Sequence, residues 1–346
     1  MPAVKPAYRV PLLAEIYARE RTGPAVVTTF GGAGGSTTGY LLAGYQPIVC
    51  VEFTPAAVET YEANHPSTPV IMRDIREVDG DDIRAAADYD GEIGLLDGSP
   101  PCDPFSMAGT RDEHWGKAKQ YLTHTTQRTD DLFPEFARIL AALRPRGFVA
   151  ENVAGLVAGR ARGYFLDTMA ALTGAGYRCA AKVLDASWLG VPQARRRLFI
   201  AGVRDDLGAD PVLPAPLPHR YVLRDALADV PETDDPEPTP LQPSYVIDWR
   251  RQHRSDRDRR VLNLHRGDMN RPCNTLVGLG GTRAGPVHPY EPRRYTVAET
   301  RRIGGFPDDY VLTGSYADRV QRVGQSVPPP MMQQVALALL PAIATR

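Results

Sequence analysis

The residues most able to do chemistry begin with Cys102, in the run Gly98-Ser99-Pro100-Pro101-Cys102-Asp103-Pro104-Phe105-Ser106. Three prolines stiffen the backbone on either side of this cysteine, which suits a nucleophile that must be held in one place outside regular structure. A thiolate is the strongest nucleophile a side chain offers near neutral pH, and a nearby cation would raise its thiolate fraction. Glu151, in Glu151-Asn152-Val153, is a candidate acid, because a carboxyl in a desolvated pocket can retain its proton and donate a hydrogen bond. In Gln193-Ala194-Arg195-Arg196-Arg197 an extended backbone would turn Arg195 and Arg197 to one side and Arg196 to the other. Two guanidiniums on one face suit a carbonyl or a phosphate.

These groups need a scaffold that brings distant segments together. Short β-like runs at 25–30, 48–52, 70–75, 93–97, 148–151 and 179–184 alternate with helix-like stretches at 55–64, 134–143 and 164–173. Thr54 is the expected N-cap of the first of these helices and Pro55 its first residue. Such alternation predicts an α/β fold with a mostly parallel sheet covered on both faces, whose ligands sit beyond the carboxyl ends of the strands. Glu52, Asp74, Gly98 and Glu151 all fall at such ends. The turn Phe30-Gly31-Gly32-Ala33-Gly34-Gly35 follows a strand and precedes a helix, where glycines let a cofactor approach the backbone. It is not a dinucleotide fingerprint, since counting from Gly32 and Gly34 the sixth position is Thr37, so a nicotinamide cofactor is disfavoured. Glu52 could accept from ribose hydroxyls, Phe30 or Phe53 could stack on adenine, and Asp74 could receive an adenine amino group.

Composition narrows the class. With 346 residues, 43% of them hydrophobic and 23% charged, the chain is large enough for one extended core or two unequal domains. No apolar run approaches the ~20 residues needed to span a bilayer, and residues 1–10 lack the apolar core of a secretion signal, so a cytoplasmic protein is expected. The cysteines, Cys50, Cys102, Cys179 and Cys273, form no Cys-x-x-Cys pair, which argues against a zinc site or a disulfide framework, and no metal is expected. Net charge is −1, yet residues 245–302 hold thirteen Arg against six acidic residues, a local basic patch within an otherwise acidic chain. A Pro-rich, acidic stretch at 210–243 marks a domain boundary, and 335–344 reads as a closing helix that folds back on the first domain. The expected division is 1–203, 204–302 and 303–346.

Taken in order, these segments resemble the DNA cytosine-5 methyltransferase family. Phe30 to Gly35 is similar to its glycine-rich cofactor loop, Glu52-Phe53 to its ribose and adenine contact, and Asp74-Ile75 to its adenine-amino contact. Pro100-Pro101-Cys102 resembles the nucleophile loop, Glu151-Asn152-Val153 the E-N-V element, and Gln193, Arg195 and Arg197 the Q-x-R-x-R element. Arg271-Pro272-Cys273-Asn274-Thr275-Leu276 is similar to the R-P-x-x-T element, while Thr296-Val297, Gly305-Phe306-Pro307-Asp308 and Gly324-Gln325-Ser326-Val327-Pro328 resemble the carboxyl-terminal elements.

The resemblance implies a Rossmann-like S-adenosylmethionine-dependent fold with a smaller, irregular target-recognition domain at 204–302 and a 303–346 segment completing the catalytic domain. It implies S-adenosylmethionine as cofactor, S-adenosylhomocysteine as product and double-stranded DNA as substrate, with Gln325, Ser326, Val327 and Pro100 joining the cofactor site. DNA contacts are expected from Ser106, Trp115, Lys117, Lys119, Arg128, Arg250, Arg251, Arg254, Arg266, Arg271 and Thr275. A monomer is expected, with a cognate restriction endonuclease as a candidate partner. Four departures stand out: Thr28 where an acidic residue is common, Asp103 for the usual Gln, Gln325 for the usual Asn, and a long segment at 107–131. That segment exceeds its common form by about ten residues on a rough comparison. Competing readings are an RNA cytosine-5 methyltransferase on the same fold, which needs a different recognition surface; a silent DNA-binding homologue, opposed by intact Cys102, Glu151 and Arg195; and a nicotinamide oxidoreductase.

Overall fold

The computed structural model describes residues 5–101, 132–251, 264–277 and 285–344, with two short pairs at 119–120 and 126–127. Cys102, Ser106, Trp115, Lys117, Arg128 and Arg254 lie outside the described residues, as do the side chains of Lys119 and Arg251.

The chain divides into two compact units. The larger comprises Arg19–Leu184, Arg196–Ala215 and Gln333–Arg346. Its sheet contains β1 (Ala25–Thr29), β2 (Gln46–Val51), β3 (Val70–Ile71), β4 (Leu95–Gly98), β5 (Gly147–Val153), β6 (Tyr177–Asp185) and β7 (Arg196–Arg204), in the spatial order β3-β2-β1-β4-β5-β7-β6. β1 pairs in parallel with β2 and β4, β2 with β3, and β4 with β5, whereas β7 runs antiparallel to β5. The order reverses direction between β1 and β4, the place where doubly wound sheets open a ligand crevice. β1 is buried along its whole length, as a central parallel strand covered on both faces should be.

Helices α1 (Gly35–Leu42), α2 (Pro55–Asn64), α3 (Gly80–Ala87), α4 (Leu132–Leu143) and α5 (Arg162–Gly174) connect or cover these strands. Thr54 is the N-cap of α2 with Pro55 at its first turn, as expected, although the Thr54 side chain makes no capping bond. The third strand is shorter than the β-like run at 70–75, because Asp74 accepts from the Arg76 N–H and starts a 3₁₀ turn at Ile75–Glu77. The core joins Val27, Val49, Leu96, Phe136, Phe148 and Ile200. From Gln333 onward the last helix belongs to this unit: the Tyr45 hydroxyl donates to Ala336 O, and Arg146 Nε to Ile343 O.

The second unit comprises Met1–Ala18, Asp185–Arg195 and Pro216–Met332. Its main core gathers Leu13, Leu223, Cys273, Tyr295, Phe306 and Tyr310, and a smaller cluster surrounds Trp249 with Leu241, Leu264 and Val287. These boundaries differ from the expected division at 203 and 302. Residues 1–18 go with the second unit because Tyr8 donates to Arg302 O and the Leu13 N–H to Asp309, and residues 303–332 stay there through Phe306, Tyr310 and Val323. Only 333–346 returns to the sheet. Among the described residues no helix is long and apolar enough to cross a membrane, and no cluster of side chains has the makings of a metal site.

Candidate functional site

The glycine turn leaves β1 through backbone that side chains rarely adopt. Phe30 has φ 55°, Gly32 53° and Gly34 82°, and the Gly34 N–H closes the turn on Gly31 O at 2.9 Å. Gly32 is needed for its left-handed φ, since a Cβ there would meet nothing nearer than Phe30 O at 4.0 Å. Gly31 is needed for a different reason, since a Cβ would collide with the Cys50 Sγ beneath it. Phe30 in a left-handed conformation is a strained exception of the kind concentrated at ligand sites. Under the turn, buried His65 faces Gly34 O at 3.3 Å, and burial pushes its pKa down to about 3 against the pull of that carbonyl. The imidazole is therefore neutral at physiological pH.

Glu52, one residue beyond β2, reaches back to this turn. Its Oε2 accepts from the Gly32 N–H at 2.8 Å, and Oε1 accepts from the N–H groups of Phe53 and Thr54 at 2.9 and 2.8 Å. A carboxylate has roughly four acceptor positions, so acceptor capacity remains for a hydroxyl beside the glycine turn. The fixed carboxylate and the open glycine backbone fit a nucleoside cofactor. Asp74 is differently placed: both its oxygens engage Arg76, at 3.0 and 3.2 Å, and it caps the 3₁₀ turn. Ile75 is buried in the core.

β4 carries a carboxyl that belongs to none of the motifs above. Asp97 is 2% exposed and its Oδ1 accepts from the Tyr40 hydroxyl of α1 at 2.9 Å. Burial pushes its pKa up to about 7, opposed by the hydrogen bonds from Tyr40 and Ser36 and assisted by the charge of Glu151. The available signal was an Asp interrupting the apolar run Leu95-Leu96 just before Gly98. After Gly98 the chain enters the loop that leads to Cys102. Asn152 of β5 fixes that loop by donating from Nδ2 to Pro100 O at 2.9 Å, while its own Oδ1 accepts from the Val153 N–H.

Glu151 and Arg197 are neighbours across the antiparallel pair of β5 and β7. Arg197 Nε lies 3.0 Å from Glu151 Oε1, yet no N–H is aligned with that oxygen, which is buried without a hydrogen-bond partner among the described residues. A buried acceptor left in this state is uncommon. Arg195 does not share this task. Its N–H bonds to Gln193 O, bending the chain between the short strand Gln193–Ala194 and β7, and its buried guanidinium donates to Gly324 O at 2.7 Å. Longer contacts at 3.5 and 3.4 Å reach Leu276 O and Gln325 O. Arg195 is buried, Arg196 exposed and Arg197 half-buried, in keeping with the expected alternation, but the guanidiniums have different partners: one is held by carbonyls within the second unit, the other lies beside a carboxylate within the first.

Around Arg195, Gln193 Oε1 accepts from the Leu276 N–H at 3.1 Å and the Thr275 hydroxyl donates to Ala194 O at 2.8 Å, so the two short strands Gln193–Ala194 and Cys273–Asn274 are pinned side by side. Thr275 is committed to this bond. Ser326 donates to Arg322 O at 2.7 Å, Gln325 ends a helix and Val327 is buried. Of the expected DNA contacts, Arg266 stacks over Trp249 at 3.9 Å, whereas Arg250 is exposed and Arg271 keeps 72% of its side chain exposed. Lys119 lies in a two-residue antiparallel pairing with Gln127.

A mostly parallel sheet with a glycine turn, an anchored carboxylate beyond β2 and a buried carboxylate ending β5 defines a methyltransferase-type α/β fold. The chain belongs to the C-5 cytosine-specific DNA methylase family, whose profile matches residues 25–340. It is 27% identical to the type II methyltransferase M.DdeI of Desulfomicrobium norvegicum, covering 90% of this chain and 87% of the relative. It is 31% identical to M.PspPI of a Psychrobacter species, over 91% of this chain and 79% of the relative. Its fold is similar to that of a prophage-encoded E. coli protein described as a DNA modification methyltransferase, with TM-score 0.75, 22% identity and coverage of 91% and 98% of the two chains.

Proposed function

We propose that this protein transfers a methyl group from S-adenosylmethionine to C5 of a cytosine flipped out of a specific double-stranded DNA sequence. The observation that carries the reading is buried Glu151, with one oxygen lacking an aligned donor, on the strand whose Asn152 holds the loop leading to Cys102. Phe30 to Gly35 and Glu52 would hold the cofactor, with Phe53 and Ile75 beside its adenine. When bound, the cofactor supplies an electrophilic methyl group on a sulfonium.

Cytosine C5 is a weak nucleophile in the aromatic ring. The Cys102 thiolate forms a bond to C6, and the electron pair displaced from the C5–C6 double bond makes C5 the nucleophilic end of an enamine. Glu151 meets N3 of the ring, where addition at C6 builds up charge, and Arg197 fixes Glu151. Once C5 carries the methyl group, its proton leaves to a base, the C5–C6 double bond re-forms and the thiolate departs. A stacked base exposes neither C6 nor C5 to such attack, so flipping is required, at roughly a few kcal/mol. Arg250 and Arg271 would contribute DNA contacts. We place the reaction in the cytoplasm, carried out by a monomer; a cognate restriction endonuclease is the partner that the type II relatives suggest.

Cytosine-methylation sequencing of DNA from cells expressing the protein, beside cells expressing Cys102→Ala, tests the reading. Methylated cytosines in one sequence context, absent with the variant, are the expected result. Equal methylation by the variant would overturn the covalent mechanism, and no methylation by wild type would overturn the activity.

A further inference from the structure

Asp97 has no task in the mechanism above, yet it is buried near the carboxyl end of β4. β4 pairs with β1 through Thr28 opposite Asp97, and with β5 through Val149 opposite Asp97. Partners in parallel strands share a face, and Glu151 lies two residues beyond Val149, so Thr28, Asp97 and Glu151 line the same side of the sheet. The helix on that side is α1, whose first two turns supply Ser36 and Tyr40, four residues apart. Tyr40 donates to the Asp97 carboxyl at 2.9 Å, and the Ser36 hydroxyl also favours the carboxylate form. Asp97 therefore lies within one or two helical turns of the glycine loop and five residues before Cys102.

The groups acting on Asp97 are unusual in sign. From α1 they are the Ser36 and Tyr40 hydroxyls, from β5 the carboxylate of Glu151, and no cation is among them for the described residues. The Thr28 hydroxyl of β1 turns to Val49 O and the Thr29 hydroxyl to Asp97 O. A buried carboxyl with no cationic partner ordinarily takes up a proton. Here the Tyr40 hydroxyl opposes that uptake, leaving the carboxyl at about 7, near neutrality.

We infer that Asp97 is a positioning residue that senses the charge of the bound cofactor, ionising when the cationic sulfonium donor sits on the glycine loop and taking its proton back when the neutral thioether product remains. The inference rests on the cofactor reading above. A positive charge nearby favours the carboxylate, and by linkage the carboxylate favours the positively charged ligand. The proton goes to solvent on binding of the donor and returns after transfer, with no covalent change at Asp97. The device would help the protein prefer substrate cofactor to product. Because Tyr40 is bonded to that carboxyl, its charge also sets how firmly α1 is tied to the strand that leads to Cys102.

The test is calorimetric, on the full protein without DNA and therefore without turnover. Affinities for S-adenosylmethionine and S-adenosylhomocysteine are measured between pH 6 and 8, in buffers of different ionisation enthalpy. For wild type the ratio of the two affinities is expected to rise roughly three- to tenfold in favour of the sulfonium form, a shift of up to about one unit in the carboxyl's pKa. Binding of that form alone should release a fraction of a proton. Asp97→Asn should give a ratio whose pH dependence is reduced to that of the ligands' own amines, a background shared with wild type. Tyr40→Phe removes a donor that favours the anion, so it should move the midpoint of the wild-type curve to higher pH. An Asp97→Asn protein with the wild-type slope would overturn the inference. Should that variant fail to fold, an unmoved midpoint in Tyr40→Phe overturns it instead. Wild type that binds both ligands with a flat ratio would sink the inference and leave the cofactor reading intact, whereas wild type that binds neither would sink the cofactor reading itself.

Discussion

The two units treat buried charge in opposite ways. In the second unit, carboxylates are neutralised by arginine: Arg293 grips both oxygens of Glu299 at 2.8 and 2.9 Å, Arg302 both of Asp308 at 2.8 and 2.7 Å, and Asp235 lies between Arg301 and Arg319 at 3.0 and 2.6 Å. In the sheet unit Asp74 is paired with Arg76, but three other carboxylates near strand ends have weaker partners. Glu52 has backbone N–H groups, Asp97 has the Tyr40 hydroxyl, and Glu151 has an arginine that is close but misaligned. Fully paired carboxylates hold an irregular fold together, whereas those left with acceptor capacity can still act on a ligand. The arginine content of 245–302 accordingly overstates the basic surface, since Arg293, Arg301 and Arg302 are internal ties.

The largest expected effect falls on Glu151. Glu151→Gln keeps the shape but alters the group that meets the ring, and should slow single-turnover methylation by roughly 10²–10³-fold, about 3–4 kcal/mol of transition-state stabilisation. DNA affinity should change far less. A variant that loses DNA binding and keeps its chemical rate would put Glu151 among the structural carboxylates, and the contrast between the units would fail there.

Asp235 provides the matching test in the other unit. Asp235→Ala strips the carboxylate from Arg301, which is buried, and breaking such a pair costs about 3 kcal/mol, read as a lower midpoint in urea. Burial alone would raise the Asp235 carboxyl, but the Thr233 hydroxyl, Arg301 and Arg319 together hold it below the usual range. A depressed carboxyl contributes stability that is present above its unfolded value of about 3.9 and lost as pH falls through the folded one. Wild type should therefore lose part of its advantage over Asp235→Ala below about pH 4. A constant gap between the two down to pH 2 would show that the tie is not ionic.

Next in size is Gly31→Ala, because the new methyl group meets Cys50 Sγ in a closed space. Overpacking of this kind costs about 1–3 kcal/mol, and it should also displace the turn and weaken cofactor binding. Adding Cys50→Ala removes the sulfur, so the double variant should recover about 1 kcal/mol relative to additivity. Strict additivity would mean that the turn relaxes away from Cys50 without penalty.

Much of the sheet unit was legible because its chemistry sits where strands end, and strand ends are local features. The glycine turn, Glu52 and Glu151 could be placed from flanking apolar runs alone. Asp97 escaped because it looked like the polar end of a strand, and nothing local indicates that Tyr40, 57 positions away, covers it. The different partners of Arg195 and Arg197 were invisible for a related reason. The carbonyls that hold Arg195 belong to residues 276, 324 and 325, far along the chain, and nothing local indicates them. Unit boundaries were the least legible. A change to Pro-rich composition at 210 is visible, but the bond between Tyr8 and Arg302 spans 294 positions, and only tertiary packing assigns residues 1–18 to the second unit.

The smallest effect is expected at Arg271, and it separates surface arginines from internal ones. Its side chain is mostly exposed and its nearest carboxylate, Asp268, is 3.6 Å away, so it contributes little to folding. If it contacts a phosphate, Arg271→Ala should weaken DNA binding by less than about tenfold and lower the slope of log affinity against log salt by about 0.9, with the melting temperature unchanged. Arg302→Ala should do the reverse, lowering stability because Asp308 loses both its bonds, while the salt slope measured on the folded fraction stays as in wild type. An unchanged slope for Arg271→Ala would remove it from the DNA surface. A slope that falls equally in both variants would show that the ion pair of Arg302 opens on DNA, so that arginines of the second unit serve both the fold and the phosphates.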